Sequence, residues 1–253
     1  MSFDNGPRFG HFRPRRQPVF NLPPVVTWLV GAIACVHVIR FLLPTAIDDR
    51  VISYFGFIPK RIVGFLLSDG TAGGAPDTFV DFVGRFFPFV SHIFLHADLM
   101  HLFFNLLWLM AFGSAVARRL GFTTGGHMRF IAFFLMCGAI GAAAHLLSFS
   151  DPNIPLIGAS GAISGLMGGA IRFIFVPSPL YQPRADGLVN VTNYRVVVFA
   201  IIFVALNLLI GLTGLLNFSS DTGAIAWQAH LGGFFAGLLL FGLFVQRQEP
   251  FDR

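Results

Sequence analysis

Six stretches of the chain stay apolar for about twenty residues each, with turn-forming or charged residues between them. They lie at roughly 25–44, 98–117, 128–149, 158–176, 194–214 and 226–246. A helix rises 1.5 Å per residue, so each stretch is close to the length that crosses a hydrocarbon layer of ~30 Å. The pattern predicts an all-α integral membrane protein with six transmembrane helices. One connection, 45–96, is neither polar loop nor span. Its aromatic runs Tyr54-Phe-Gly-Phe-Ile-Pro and Phe79-Val-Asp-Phe-Val-Gly-Arg-Phe-Phe-Pro-Phe are broken by charge, Gly and Pro. That pattern fits an embedded first loop made of short interfacial helices. Asp69-Gly-Thr-Ala-Gly-Gly-Ala-Pro reads as an exposed turn within it. The organisation is therefore a basic N-terminal tail, 1–24, a six-helix membrane domain, 25–246, and a short C-terminal tail, 247–253.

Composition agrees with this picture. Of the 253 residues, 55% are hydrophobic and 11% charged, whereas soluble domains carry about 25% charged residues. The formal charge of +5 comes from arginines at helix ends, Lys60 being the one lysine. No basic stripe lies on a soluble face, so nucleic acid is excluded as a partner. The arginines serve as a topology signal instead. Arg8, Arg13, Arg15, Arg16, Arg118, Arg119, Arg129, Arg172, Arg184, Arg195 and Arg247 all fall on the side of the N-terminus, and the loops 150–157 and 215–225 hold no Lys or Arg. Both termini are thus predicted to be cytoplasmic. The short tails and the absence of a leader point to a bacterial plasma membrane. Cys35 and Cys137, in separate apolar runs, read as packing residues.

Ionisable groups inside spanning helices are expensive and commonly functional. Helix 2 opens with His96-Ala-Asp-Leu-Met-His101-Leu-Phe-Phe-Asn105, helix 4 with Gly158-Ala-Ser160-Gly161, and helix 6 with Trp227-Gln-Ala-His230-Leu-Gly-Gly233. These three helices run in one sense, so their first turns share one depth. A serine there sits among the unpaired N–H groups of a helix N-terminus, where an oxyanion could be received. Gly161, Gly165 and Gly169 recur every four residues on helix 4, as Gly233 and Gly237 do on helix 6. Such faces allow close backbone approach in lipid, which a Ser160–His230 hydrogen bond would need. His101 and Asn105, four residues apart, share a face and carry donors suited to an oxyanion.

On these residues the chain resembles the rhomboid intramembrane serine proteases, over roughly residues 50–245. The matching elements are His101-x-x-x-Asn105, Gly158-x-Ser160-Gly161 and Ala229-His230-x-x-Gly233-x-x-x-Gly237. The resemblance implies a rhomboid-like six-helix fold and a Ser–His dyad without a third carboxylate. Ser160 would be the nucleophile and His230 its general base. His101, Asn105 and the Ser160 N–H would form the oxyanion hole. Gly158, Gly161, Gly233, Gly237 and His96 would support the site. Substrates would be single-span or other transmembrane proteins within the lipid bilayer, entering between helices 2 and 5. Three positions depart from the family. Phe87-Pro88 stands where many members carry Trp-Arg, Val116-Ala117-Arg118-Arg119 follows helix 2 in place of a motif with Glu, and Ser164 occupies a position where some carry Tyr to pack on the catalytic His.

Other readings compete with this one. A silent rhomboid-like fold that holds transmembrane clients would lack Ser160 or His230, and both are present. A transporter would place charges at mid-membrane, whereas these polar residues lie near one face. A metal on His92, His96 and His101 lacks an acidic partner set, so no metal or cofactor is expected. His92 and His145 read as interfacial, and Asn207, in helix 5, as a polar contact between helices.

Overall fold

The computed structural model describes residues 21–67, 79–148, 153–175, 186–214 and 226–246. Residues 1–20 of the N-terminal tail, the expected turn at 69–76, residues 150–152 of the loop at 150–157, the whole loop at 215–225, Arg184 and the C-terminal tail lie outside them. The described residues are almost entirely helical, and their one extended pairing is an isolated bridge between Phe57 and Leu156.

Helix α1, Pro24–Phe41, starts on a proline, whose missing N–H costs nothing at a helix start. The embedded loop follows as expected in short pieces: α2 (Thr45–Phe55), α3 (Pro59–Leu67), α4 (Phe79–Phe86), α5 (Pro88–Ser91) and a 3-10 turn, His92–Phe94. Three contacts seat it. Ser91 Oγ donates to the Phe55 carbonyl at 2.7 Å. The Phe57 ring, fully buried, meets Phe89 edge-on at 4.6 Å. Arg40, near the end of α1, holds Asp48 of α2 through two hydrogen bonds, 2.7 and 2.9 Å, and donates to the His96 carbonyl at 2.9 Å. Arg40 is buried while Asp48 is a quarter exposed. Removing one partner of such a pair falls between the near-zero cost at a surface and the several kcal/mol of a deep pair. Asp48→Ala should therefore lower stability by ~2 kcal/mol, read as a fall in the unfolding midpoint. The exposed neighbour Asp49, replaced by alanine, should leave it unchanged.

The second span runs from Leu99 to Leu120 as α6 (Leu99–Trp108), a π turn at Leu109–Gly113 and α7 (Ser114–Leu120). Asp98 caps it by accepting from the His101 N–H at 2.8 Å. Helix α8, Thr124–Leu146, starts four residues before the predicted 128. Thr123 Oγ1 caps the Gly126 N–H, and Gly126 lies so close beneath the Gly121 carbonyl that no side chain fits. Helix α9, Ser160–Ile174, is shorter than predicted at 15 residues. Gly158, at φ +116°, cannot take part in a helix, so α9 begins at Ser160. Helix α10, Tyr194–Thr213, is capped by Asn193 and stopped by Gly214 in a left-handed conformation. Helix α11, Trp227–Leu240, continues through a 3-10 turn, Phe241–Leu243.

Among the described residues four helices are long and apolar enough to cross a membrane, and Trp227–Leu243 is a shorter apolar one. Helix α9 is the exception for a physical reason. It is buried on nearly every side and packs against α8 and α11, so its length is set by neighbouring helices, not by lipid.

Glycines set that packing. A Cβ on Gly233 would stand 1.9 Å from the Gly161 carbonyl oxygen, and one on Gly237 the same distance from that of Gly165. Gly165 also receives Cys137 of α8, a packing residue as expected. Gly169 instead faces the rings of Phe133 and Phe241. Cys35 corrects its expectation: it is exposed on α1, because in a membrane an apolar residue can as readily face lipid. Arg172, counted as a topology charge, also has a packing role. It is buried, donating to the carbonyls of Val189 (2.7 Å) and Leu238 (2.8 Å), so it ties the end of α9 to its surroundings.

Candidate active site

The segment Leu156–Ala159 leads into α9 and is gripped along its length. Leu156 exchanges two backbone hydrogen bonds with Phe57, the Gly158 N–H donates to the His92 carbonyl at 2.9 Å, and the Ala159 N–H donates to His96 Nε2 at 3.4 Å. Ser160 is then the first residue of α9, following Ala159 at the N-cap. The first N–H groups of a helix have no partner within it, and the helix dipole adds positive character there.

Ser160 Oγ lies 2.8 Å from His230 Nε2, on the first turn of α11. The glycine contact between Gly161, next to Ser160, and Gly233, about one turn beyond His230, makes that distance possible. His101 projects from α6 toward the same spot. Its Nδ1 accepts from the Ala97 N–H at 3.4 Å, which leaves the ring proton on Nε2. Its Nε2 lies against Gly158: a Cβ there would be 2.7 Å from that nitrogen and 3.8 Å from Ser160 Oγ. A donor, a hydroxyl and an acceptor thus converge within a few ångströms.

Asn105 is buried below His101 and donates from Nδ2 to the His101 carbonyl at 2.8 Å. Its Oδ1 has no partner among the described residues. His96 is fully buried, and its ring meets His101 edge-on at 5.1 Å. Its support reaches both His101 on α6 and, through Nε2, the Ala159 N–H before Ser160. His92 is buried, with Nδ1 2.8 Å from the Pro88 carbonyl, and His145 is buried too. Both are enclosed because the embedded loop covers this end of the bundle. Among the described residues no three His, Cys, Asp or Glu converge as a metal site would require.

One residue was not assigned to the site from sequence. Asn207 Oδ1, on α10, lies 2.9 Å from His230 Nδ1. A signal existed: Phe199, Phe203, Asn207 and Gly211 recur every four residues and form the one face of α10 that meets α11. Phe203 stacks on Phe234 at 4.2 Å and 15°, and Gly211 sits under the Trp227 indole.

The family model described as Rhomboid domain matches residues 83–247. The chain is similar to RHOMBOID-like protein 5 of Arabidopsis thaliana, 26% identical over 254 residues that cover 94% of this chain and 73% of that protein. It is 35% identical over 147 residues to RHOMBOID-like protein 4 of the same plant, covering 58% of this chain and 31% of the relative. It is 33% identical over 125 residues to Rhomboid protease GluP of Bacillus subtilis, covering 46% and 23%. The chain thus spans most of the first relative and under a third of the other two. The relatives come from a plant as well as a bacterium, which removes the preference for a bacterial plasma membrane drawn from the sequence.

Proposed function

The chain belongs to the rhomboid family, and on that premise we propose that it is an intramembrane serine endopeptidase acting through a Ser160–His230 dyad. The observation that carries the proposal is the 2.8 Å contact between Ser160 Oγ and His230 Nε2 at the start of two helices in a membrane bundle. A hydroxyl and an imidazole so placed are the minimal apparatus for acyl transfer.

In this reading His230 accepts the Ser160 proton as Oγ attacks a peptide carbonyl, then delivers it to the leaving amine. Water attacks the resulting ester with His230 again as base. The oxyanion is received by the Ser160 N–H and His101 Nε2–H, with Asn105 beside them. A 15-residue helix is about 22 Å long, short of a hydrocarbon core of ~30 Å, so the reacting bond lies below the outer surface. The substrate is a transmembrane segment, entering between α6 and α10, whose end must unwind to expose its carbonyls. Small or helix-breaking residues near the cut bond are expected. Both tails, 1–24 and 247–253, are placed on the cytoplasmic side.

The test is reconstitution with single-span substrates bearing such residues at the outer end. The expected result is one mapped cleavage within or beside the span. Binding of the spans without any cut overturns the reading and leaves a client-binding rhomboid-like protein. Gly158 supplies a sharper check. Alanine there would be strained at φ +116° and would press on His101. Strain of ~1–3 kcal/mol at a site corresponds to a ~5- to 150-fold loss of turnover, so Gly158→Ala should cut that much more slowly while remaining folded.

A further inference from the structure

We propose that Asn207 is the positioning residue of the dyad, and that it holds His230 only while α10 is seated on α11. The proposal rests on the protease reading above and deepens it.

A neutral imidazole carries its proton on one nitrogen. For His230 to accept from Ser160 through Nε2, the proton must reside on Nδ1. Asn207 Oδ1, at 2.9 Å, is an acceptor for that proton. The amide cannot serve equally well turned over. Its Nδ2 donates to the Phe203 carbonyl one turn away at 2.8 Å, and a rotated amide would set oxygen against oxygen there. The backbone of α10 therefore fixes the amide, the amide fixes the imidazole, and the Nε2 lone pair faces Ser160. When His230 becomes imidazolium during attack, Nδ1–H keeps the same acceptor. A buried Ser164 stands where some family members carry an aromatic support for the histidine, so positioning falls to the other side of the ring.

Asn207 comes from a helix with little else to hold it. Val196 is the one buried residue of α10, and most of its surface is exposed apolar side chain. Its seam on α11 is narrow, with Gly211 under Trp227 at one end and Phe199 and Phe203 stacked on Phe234 further along. Displacement of α10 by an entering span would pull Oδ1 from His230, and return of α10 would restore it. Substrate entry and orientation of the base are thereby linked.

The experiment compares wild type, Asn207→Leu, Asn207→Asp and Phe203→Ala in liposomes, reading kcat, KM, the fluorophosphonate labelling rate and the unfolding midpoint. Leucine keeps the volume but offers no acceptor. Aspartate in its acid form can reproduce both bonds. The expected result for Asn207→Leu is a ~100-fold fall in kcat and labelling rate, at the low end for general-base catalysis. KM should stay within about twofold and the midpoint nearly unchanged. Asn207→Asp should recover most of the rate. Phe203→Ala, which loosens the seam, should lower the labelling rate in wild type but not further in the Asn207→Leu background. Wild-type kcat in Asn207→Leu overturns the proposal, as does a loss that aspartate fails to rescue, or additive effects of the two changes. Failure of the wild type itself to cleave or label would instead count against the protease reading.

Discussion

Ser160→Ala is expected to leave a folded membrane protein that does not cut any transmembrane substrate. The side chain is the first of α9 and not its cap, and its bond is to His230. Losing it removes one hydrogen bond, a cost of about 1 kcal/mol, so the unfolding midpoint should fall by only a few degrees. The chemical effect is of another order. Without Oγ no acyl-enzyme forms, and in a soluble serine protease the corresponding change costs about 10⁶-fold in kcat. Cleavage should therefore drop to background, while binding of the span, measured by crosslinking, stays intact. His230→Ala should match it closely, because residues that act as a unit do not lose activity additively. Undiminished cutting by Ser160→Ala would mean a different nucleophile.

The second large effect is structural. Gly233→Ala sets a methyl group 1.9 Å from the Gly161 carbonyl oxygen and 2.7 Å from its carbon. No rotamer relieves a clash with backbone, so α11 must move away from α9. Overpacking a core typically costs 1–3 kcal/mol, and a rigid backbone obstacle puts this change at about 3 kcal/mol or above. The same movement opens the dyad, since Gly161 adjoins Ser160. A 1 Å misplacement of reacting groups costs ~100-fold, so activity should fall at least that far in whatever protein remains folded. Gly237→Ala, against the Gly165 carbonyl, should destabilise comparably. Gly31 is the control. A Cβ there meets nothing within 4 Å, and alanine in a helix interior is favoured by ~0.5–1 kcal/mol. Melting curves of the three variants in one detergent decide this.

Much of this was legible in the chain. The apolar runs located the helices to within a few residues, and the broken aromatic pattern at 45–96 anticipated short embedded helices. The four-residue glycine spacing anticipated why α9 and α11 approach so closely. Other features were hidden for identifiable reasons. In a membrane, apolar residues line both the packed interior and the lipid face, so Cys35 and Cys137 looked alike in sequence yet ended in different surroundings. Gly158 looked like part of a helix because its positive φ has no compositional mark. The bonds of Arg172 were hidden because its acceptors, Val189 and Leu238, are brought to it only by tertiary packing. Asn207 was seen as polar glue, but its partner depends on the antiparallel register of α10 on α11. That register is set by Phe203, Phe234, Gly211 and Trp227 together, not by any motif around Asn207.

Mass-spectrometric mapping of the fluorophosphonate adduct on the purified protein in liposomes is the most direct test. The expected result is a single adduct on Ser160, lost in His230→Ala because the hydroxyl is no longer activated. An adduct on any other residue, or labelling of Ser160 that is indifferent to His230, would contradict it.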